Sequence, residues 1–120
     1  MFAAASESVA LSQLGFRDKD IHSLPPGGAV IIQNGEIDVL QFAPSPKRSH
    51  CFFEWNYIAD VDSILNHVST RRVREVLGEI LAAEFHPADA DLVTFLPRCP
   101  EVAARSYARK TGLPFVPIFY

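Results

Sequence analysis

Val73, Val76, Leu77, Ile80 and Leu81 stand at i, i+3, i+4, i+7 and i+8, the spacing of one buried helical stripe. Arg71, Arg72, Arg74, Glu75, Glu79 and Glu84 occupy the other positions and predict a solvated face. Arg71 and Glu75 form an i, i+4 pair worth roughly a few tenths of a kcal/mol. Ser69 or Thr70 caps this helix, and Pro87 ends it. Upstream, residues 51–59 read C-F-F-E-W-N-Y-I-A, an aromatic-rich stretch that predicts a strand. Residues 60–63 then lead into a short turn through Leu65. Downstream, residues 92–96 are a continuous apolar run, as in a parallel strand covered on both sides. Strand, helix and strand in that order predict a parallel α/β unit.

The flanks follow other patterns. Ser6 or Ser8 can cap a short N-terminal helix that Gly15 ends, with Val9, Ala10 and Leu14 facing inward. Glu7 there reads as a favourable charge at a helix N-terminus. Pro25, Pro26, Gly27 and Gly28 predict a turn. Its glycines form no phosphate cradle, because G-x-G-x-x-G and G-K-[ST] are absent and a strand follows. Residues 29–33 and 36–42 flank Asn34-Gly35, the preferred two-residue hairpin turn. Ile37, Val39 and Gln41 fall on one face, and Asp38, Leu40 and Phe42 on the other, so both faces are expected to be packed. Residues 43–49, A-P-S-P-K-R-S, read as a linker and divide the chain. Pro100 suits the first turn of a second helix that carries Val102, Ala103, Tyr107 and Ala108 and ends at Gly112. Residues 113–120 predict a third strand near an edge, given their prolines. An apolar ending in mid-strand predicts that the chain has been cut short or that another chain covers this end.

Composition narrows the classes. With 120 residues and 48% hydrophobic content, the chain has the make-up of a globular protein. A net charge of −3 predicts no nucleic-acid partner and no anionic membrane surface. No apolar run approaches a membrane span. The first residues lack the basic and apolar regions of a secretory signal. Cys51 and Cys99 lie far apart without a C-x-x-C motif. Two lone cysteines fit a reducing compartment, so a cytoplasmic location is expected.

Ligands of parallel α/β units bind at the carboxyl ends of strands, where loops meet helix N-termini. Here that loop is residues 97–100. Arg98 can hold a phosphate or carboxylate, and Cys99 beside it sits near a helix N-terminus. The same loop also reads as an ordinary connection. His22, His50, His67 and His86 are scattered, and no metal site or nucleophilic triad is expected.

Several of these stretches resemble one family in order. They are A-S-E-S-V-A-L-S-Q-L-G (5–15), Arg17 to Pro26-Gly27, C-F-F-E-W-N-Y-I-A-D-V-D-S (51–63), V-R-E-V-L-G-E-I-L-A-A-E (73–84), A-D-L-V-T-F-L-P (90–97) and A-R-K-T-G-L-P-F (108–115). Together they resemble amidophosphoribosyltransferase, the glutamine phosphoribosyl pyrophosphate amidotransferase of purine synthesis. The resemblance covers nearly the whole chain. It implies a mixed α/β fold: the last helix and hairpin of a glutaminase domain in residues 1–42, a linker over 43–49, and the start of a phosphoribosyltransferase domain in 50–120. The second part would be an incomplete parallel-sheet β-α-β-α-β unit. In the family, ammonia released from glutamine displaces pyrophosphate from the sugar phosphate, which binds with Mg²⁺.

The resemblance also implies what these residues do not contain. Neither the family's nucleophilic N-terminal cysteine nor its acidic phosphoribosyl pyrophosphate loop aligns with any residue here, so no catalytic residue is expected. The family has P-D-S where this chain has Pro97-Arg98-Cys99, and A-R-P-D-S where it has Ala59-Asp60-Val61-Asp62-Ser63. It has P-G-E at Pro26-Gly27-Gly28. Arg98 reverses a charge beside an anionic ligand. The candidate nucleotide- or phosphate-binding residues are Arg98, Cys99 and Ser106. Cys51 matches a position that ligates an iron–sulfur cluster in some members; its partner cysteines are not in this sequence, so no cluster is expected. Two functions follow as expectations: a catalytically silent relative that acts as a scaffold, complements a partner chain or keeps a nucleotide or phosphoribosyl pyrophosphate site around Arg98 to Ser106, or a non-enzymatic assembly module. In the second, Phe115 to Tyr120 would be the interface to a second copy or a complementary chain.

Overall fold

The computed structural model describes residues 2–44 and 47–120. Positions 45 and 46 of the expected linker lie outside the described residues. The element order is α1 (Ser8–Gln13), a 3₁₀ turn (Asp18–Asp20), β1 (Gly28–Gln33), β2 (Glu36–Gln41), a π-helix (Glu54–Ile58), β3 (Ile64–Leu65), β4 (Val68–Ser69), α2 (Thr70–Glu84) and α3 (Glu101–Thr111).

The hairpin forms as its turn predicts. β1 and β2 pair antiparallel from Gly28↔Gln41 to Gln33↔Glu36. Asn34 and Gly35 take φ of 52° and 82°, the left-handed values that such a turn requires. The Gln41 side-chain amide closes the open end by donating to the carbonyls of Pro26 at 2.8 Å and Ala43 at 2.5 Å. The expectation that both faces are packed fails: every residue of β2 is exposed, Val39 and Leu40 included. A two-stranded ribbon has no second layer of its own, so its apolar side chains meet solvent.

Residues 51–59 are not a strand. Phe52 and Phe53 begin a helical turn that continues as the π-helix. Aromatic content suggested a pleated surface, but tertiary contacts set the backbone. Arg74 reaches back from α2 and donates to the carbonyls of Trp55 at 2.9 Å and Ala59 at 2.8 Å. Those carbonyls end a helical segment and need partners other than the next turn.

α2 begins where expected. Ser69 is its N-cap, and its hydroxyl accepts from the Arg72 amide at 3.3 Å. The buried face differs from the expected one. Thr70, Arg74, Gly78 and Ala82 are the buried residues, at four-residue spacing, while Ile80 and Leu81 are exposed. The cause is the partner helix. α3 lies against Gly78, where an added Cβ would stand 2.9 Å from the carbonyl carbon of Ala103 and 3.0 Å from the Ser106 Cβ. Small residues allow that approach; large aliphatic ones would prevent it. Arg74 therefore sits inside rather than on the solvated face. The expected Arg71–Glu75 pair is also replaced: Arg71 meets Asp62 at 2.6 Å, and Arg72 meets Glu75 and Glu79 at 3.2 Å each.

α3 has Pro100 at its N-cap and ends at Gly112, whose φ of 77° is the left-handed C-terminal cap. The parallel component of the fold brackets this helix. Val93 and Phe115 form a parallel bridge, with the Val93 amide donating to Pro114 at 2.8 Å and Val116 donating to Val93 at 2.9 Å. The expected strands 92–96 and 113–120 are each reduced to that contact. A parallel pair without further neighbours has no ladder to extend it. At the N-terminus, Gly15 ends α1 with φ of 92°, but neither serine caps it through its side chain. Ala10 and Leu14, expected inside, are exposed, and Val9 is half-buried.

The molecule is extended. Its radius of gyration is 18.9 Å and its dimensions are 64 × 32 × 22 Å, against roughly 14 Å for a compact chain of this length. Its accessible surface is 8980 Å², against about 6,450 Å² for a folded monomer of this mass. The excess, about 2,500 Å², is on the scale of surface that an obligate interface buries.

Candidate functional site

The expected loop, residues 97–100, joins the bridge residue Val93 to α3. Its geometry is that of a strand-to-helix connection in a parallel unit. The peptide between Pro97 and Arg98 is cis. The Arg98 carbonyl accepts from the Glu101 amide at 3.2 Å, and the Pro100 carbonyl from Ala104 at 2.8 Å. These bonds fold the loop onto the first turn of α3. Arg98 itself is exposed.

Cys99 is half-buried, and its thiol donates to the Tyr57 carbonyl at 3.4 Å. The loop thus leans on the π-helix, the segment that Arg74 holds from the other side. Cys51 is exposed and is not paired with Cys99. Ser106 is only 1% exposed, inside the α2–α3 contact beside Gly78. Its hydroxyl accepts from Arg109 at 3.3 Å. The structure therefore places Arg98 and Cys99 together at the helix start and seats Ser106 further along, between the helices.

Charge around α3 is arranged in one ladder. Arg105 donates twice to Glu101, at 2.9 and 2.8 Å, and stacks over Phe115 with its guanidinium carbon 4.4 Å from the ring centre. Phe115 stacks in turn on Phe95 at 5.6 Å. These contacts hold the bridge strands against the helix and occupy Arg105, leaving Arg98 as the cation that the loop presents.

Among the described residues, no group of three or more His, Cys, Asp or Glu side chains could hold a metal ion. The loop offers a cation and no carboxylate, so it supplies no ligand for Mg²⁺. An iron–sulfur cluster takes about four thiolates, and the sequence has 2 cysteines. A cleft lined by Ser8, Asp18, Ser23, Asn66 and His67 has a volume of about 60 Å³, far below the roughly 300 Å³ at which ligand pockets begin.

Two residues that carry the architecture of this region were not singled out from sequence. The sequence pattern puts Arg74 among the solvated charges and Glu7 at the helix cap. The signal for Arg74 was its place in the row Thr70, Arg74, Gly78, Ala82, which the large aliphatic residues obscured. Nothing local signals Glu7, whose partners lie more than fifty residues away.

No protein-family model matches the chain. Curated relatives do. It is 38% identical over 114 residues to the amidophosphoribosyltransferase of Archaeoglobus fulgidus, covering 95% of this chain and 24% of that protein. It is 39% identical over 119 residues to the enzyme of Pseudomonas aeruginosa, covering 95% and 23%. Among solved structures, it superposes on the glutamine phosphoribosylpyrophosphate amidotransferase of B. subtilis, complexed with ADP and GMP, with a TM-score of 0.81. That match has 30% identity and covers 93% of this chain and 24% of the other. The chain thus spans about a quarter of the length of the relatives it matches.

Proposed function

Because this chain is related in sequence and fold to a quarter-length stretch of amidophosphoribosyltransferase, we propose that it serves purine biosynthesis as part of that machinery and is catalytically silent by itself. The observation that carries the reading is collinear similarity over 95% of the chain to curated enzymes, with a superposition at TM-score 0.81. On this reading, residues 1–42 correspond to the end of the glutaminase half, 43–49 to the junction, and 50–120 to the start of the transferase half. On the same reading, ammonia release and pyrophosphate displacement rest on groups in the three quarters of the relatives that the match leaves out.

What the stretch offers is a phosphate contact. Arg98 is exposed at the start of α3, where a helix dipole and a guanidinium favour an anion. Cys99 seats the loop against Tyr57, and Ser106 seats α3 against α2. The ligand class is a nucleoside monophosphate or phosphoribosyl pyrophosphate, with Mg²⁺ arriving on the pyrophosphate. The setting is the cytoplasm, where Cys51 and Cys99 stay reduced. No helix among the described residues is long and apolar enough to cross a membrane.

A thermal melt with and without phosphoribosyl pyrophosphate–Mg²⁺ or AMP tests the site. Ligand at 100 times its dissociation constant stabilises by about 2.7 kcal/mol, roughly 10 °C for a chain of this size. That shift, lost in Arg98→Ala, is the expected result; a cooperative melt with no shift removes the phosphate site.

A second reading is favoured by the surface. Val39, Phe42, Ile118 and Phe119 are all exposed, and the excess area matches an obligate interface. A non-enzymatic assembly module, paired through residues 115–120 with a second copy or a complementary chain, accounts for both. A strictly monomeric chain at high concentration, with that segment ordered, would sink it.

A further inference from the structure

The N-terminal helix docks away from the hairpin that follows it. Glu7 lies at the N-cap of α1, yet its carboxylate makes no cap bond. One of its oxygens instead accepts from the Asp60 amide at 2.7 Å and from the Ser63 hydroxyl at 2.8 Å. The neighbouring Ser8 hydroxyl accepts from the Ile64 amide at 2.7 Å. Two adjacent side chains thus take three donors from a single loop. That loop also carries hydrogen bonds of its own. The Asp62 amide donates to the Asp60 carboxylate at 2.9 Å, and the Ser63 amide to the Asp60 carbonyl at 3.1 Å.

The connection continues into α2. The Ser63 carbonyl accepts from the Thr70 amide at 3.0 Å, and both residues are 0% exposed. Arg74 donates to the Ala59 carbonyl at the other end of the loop, and Arg71 pairs with Asp62. The hairpin, in contrast, closes on itself and on residues 25–27 and 43.

We propose that Glu7 and Ser8 form a latch that makes α1, the loop of residues 59–64 and the start of α2 one cooperative unit, with the hairpin opening independently. The linker of residues 43–49 is then not the mechanical divide of the chain. A displacement of α1 moves the loop and reaches α2 through Ser63 and Arg74. A carboxylate holding two donors, one of them the hydroxyl of the fully buried Ser63, is a strong form of such a contact, because a hydrogen bond to a charged acceptor exceeds a neutral one. This goes beyond the proposed function and does not depend on it: it concerns which segments move together, whatever the chain binds.

Native-state hydrogen exchange on the full chain tests the latch. Glu7→Ala should speed exchange about tenfold or more at Asp60 and Ile64 and, together with them, at the Leu14 and Phe16 amides that close α1. Hairpin amides should keep their native rates. Ser63→Ala, which removes one donor from the other side, should speed the same set by less. If Glu7→Ala does not fold, Ser8→Ala gives the same comparison with one bond lost. Acceleration confined to α1, or shared by α1 and the hairpin but not the loop, would overturn the proposal.

Discussion

Replacing Gly78 with alanine sets helix propensity against packing. In an isolated helix the change stabilises by about 1 kcal/mol, because alanine restricts the unfolded chain and glycine does not. Here the added methyl would stand 2.9 Å from the Ala103 carbonyl carbon and 3.0 Å from the Ser106 Cβ, and nearer still to the Ala103 oxygen. Two of those three atoms are backbone and cannot rotate aside. α2 and α3 must therefore separate, and the buried contacts of Ser106 and Ala108 loosen with them. Overpacking costs roughly 1–3 kcal/mol, and a backbone obstacle puts this site at the upper end. The net loss is about 2 kcal/mol. With 120 residues and about 2.1 cal/mol/K per residue of unfolding entropy, that lowers Tm by roughly 8 °C. Circular dichroism melts measure it directly. Ala83→Gly, at an exposed position of the same helix, should cost only the propensity of about 1 kcal/mol. A Gly78→Ala protein that melts at or above the native temperature would refute the close approach of the helices.

Other substitutions separate the remaining contacts. Arg74→Lys removes the fork that spans two carbonyls and should cost roughly 1–3 kcal/mol in a denaturant melt, with an unchanged midpoint counting against it. Ser69→Ala should cost about 1 kcal/mol by removing the α2 cap, again read from the denaturation midpoint. Asp62→Asn should cost under about 1 kcal/mol, and less still in high salt, because both partners of its ion pair are half exposed. The hydrogen bond to Asp62 raises the Arg71 pKa. A raised basic group stabilises fully below its unfolded value and loses that contribution only as pH rises through the folded one. Arginine stays protonated past about pH 12, so the Asp62→Asn difference should be equal at about pH 7 and pH 9. A difference that changes between them would contradict this.

Much of the fold was legible in local patterns. Asn34-Gly35 and Gly112 mark a turn and a helix end through left-handed backbone that few residues adopt, and Ser69 marks a helix start through its hydroxyl; these marks hold, while Pro100, expected in the first turn of α3, stands one place earlier at its N-cap. The period of α2 was also legible, but its inward face was not. Large aliphatic residues predict burial only where a partner has room for them, and α3 packs instead on Gly78 and its small neighbours. Residues 51–59 misled for a related reason. Their aromatic content suits a strand, yet Arg74, nineteen residues from Trp55, fixes the backbone as a helix end. The position of the loop that carries Arg98 and Cys99, between the bridge residue Val93 and α3, was legible from the order of elements. Glu7 was not found, because a carboxylate at a helix start has a sufficient local explanation and its partners are remote.

On the proposed function, residues similar in sequence and fold to a quarter of the enzyme carry no turnover of their own. The most direct test incubates the pure chain with glutamine, phosphoribosyl pyrophosphate and Mg²⁺, and follows ammonia and pyrophosphate release together. Both should stay at the level of a protein-free control. Release of either above that level, proportional to chain concentration and lost on unfolding, would contradict the account.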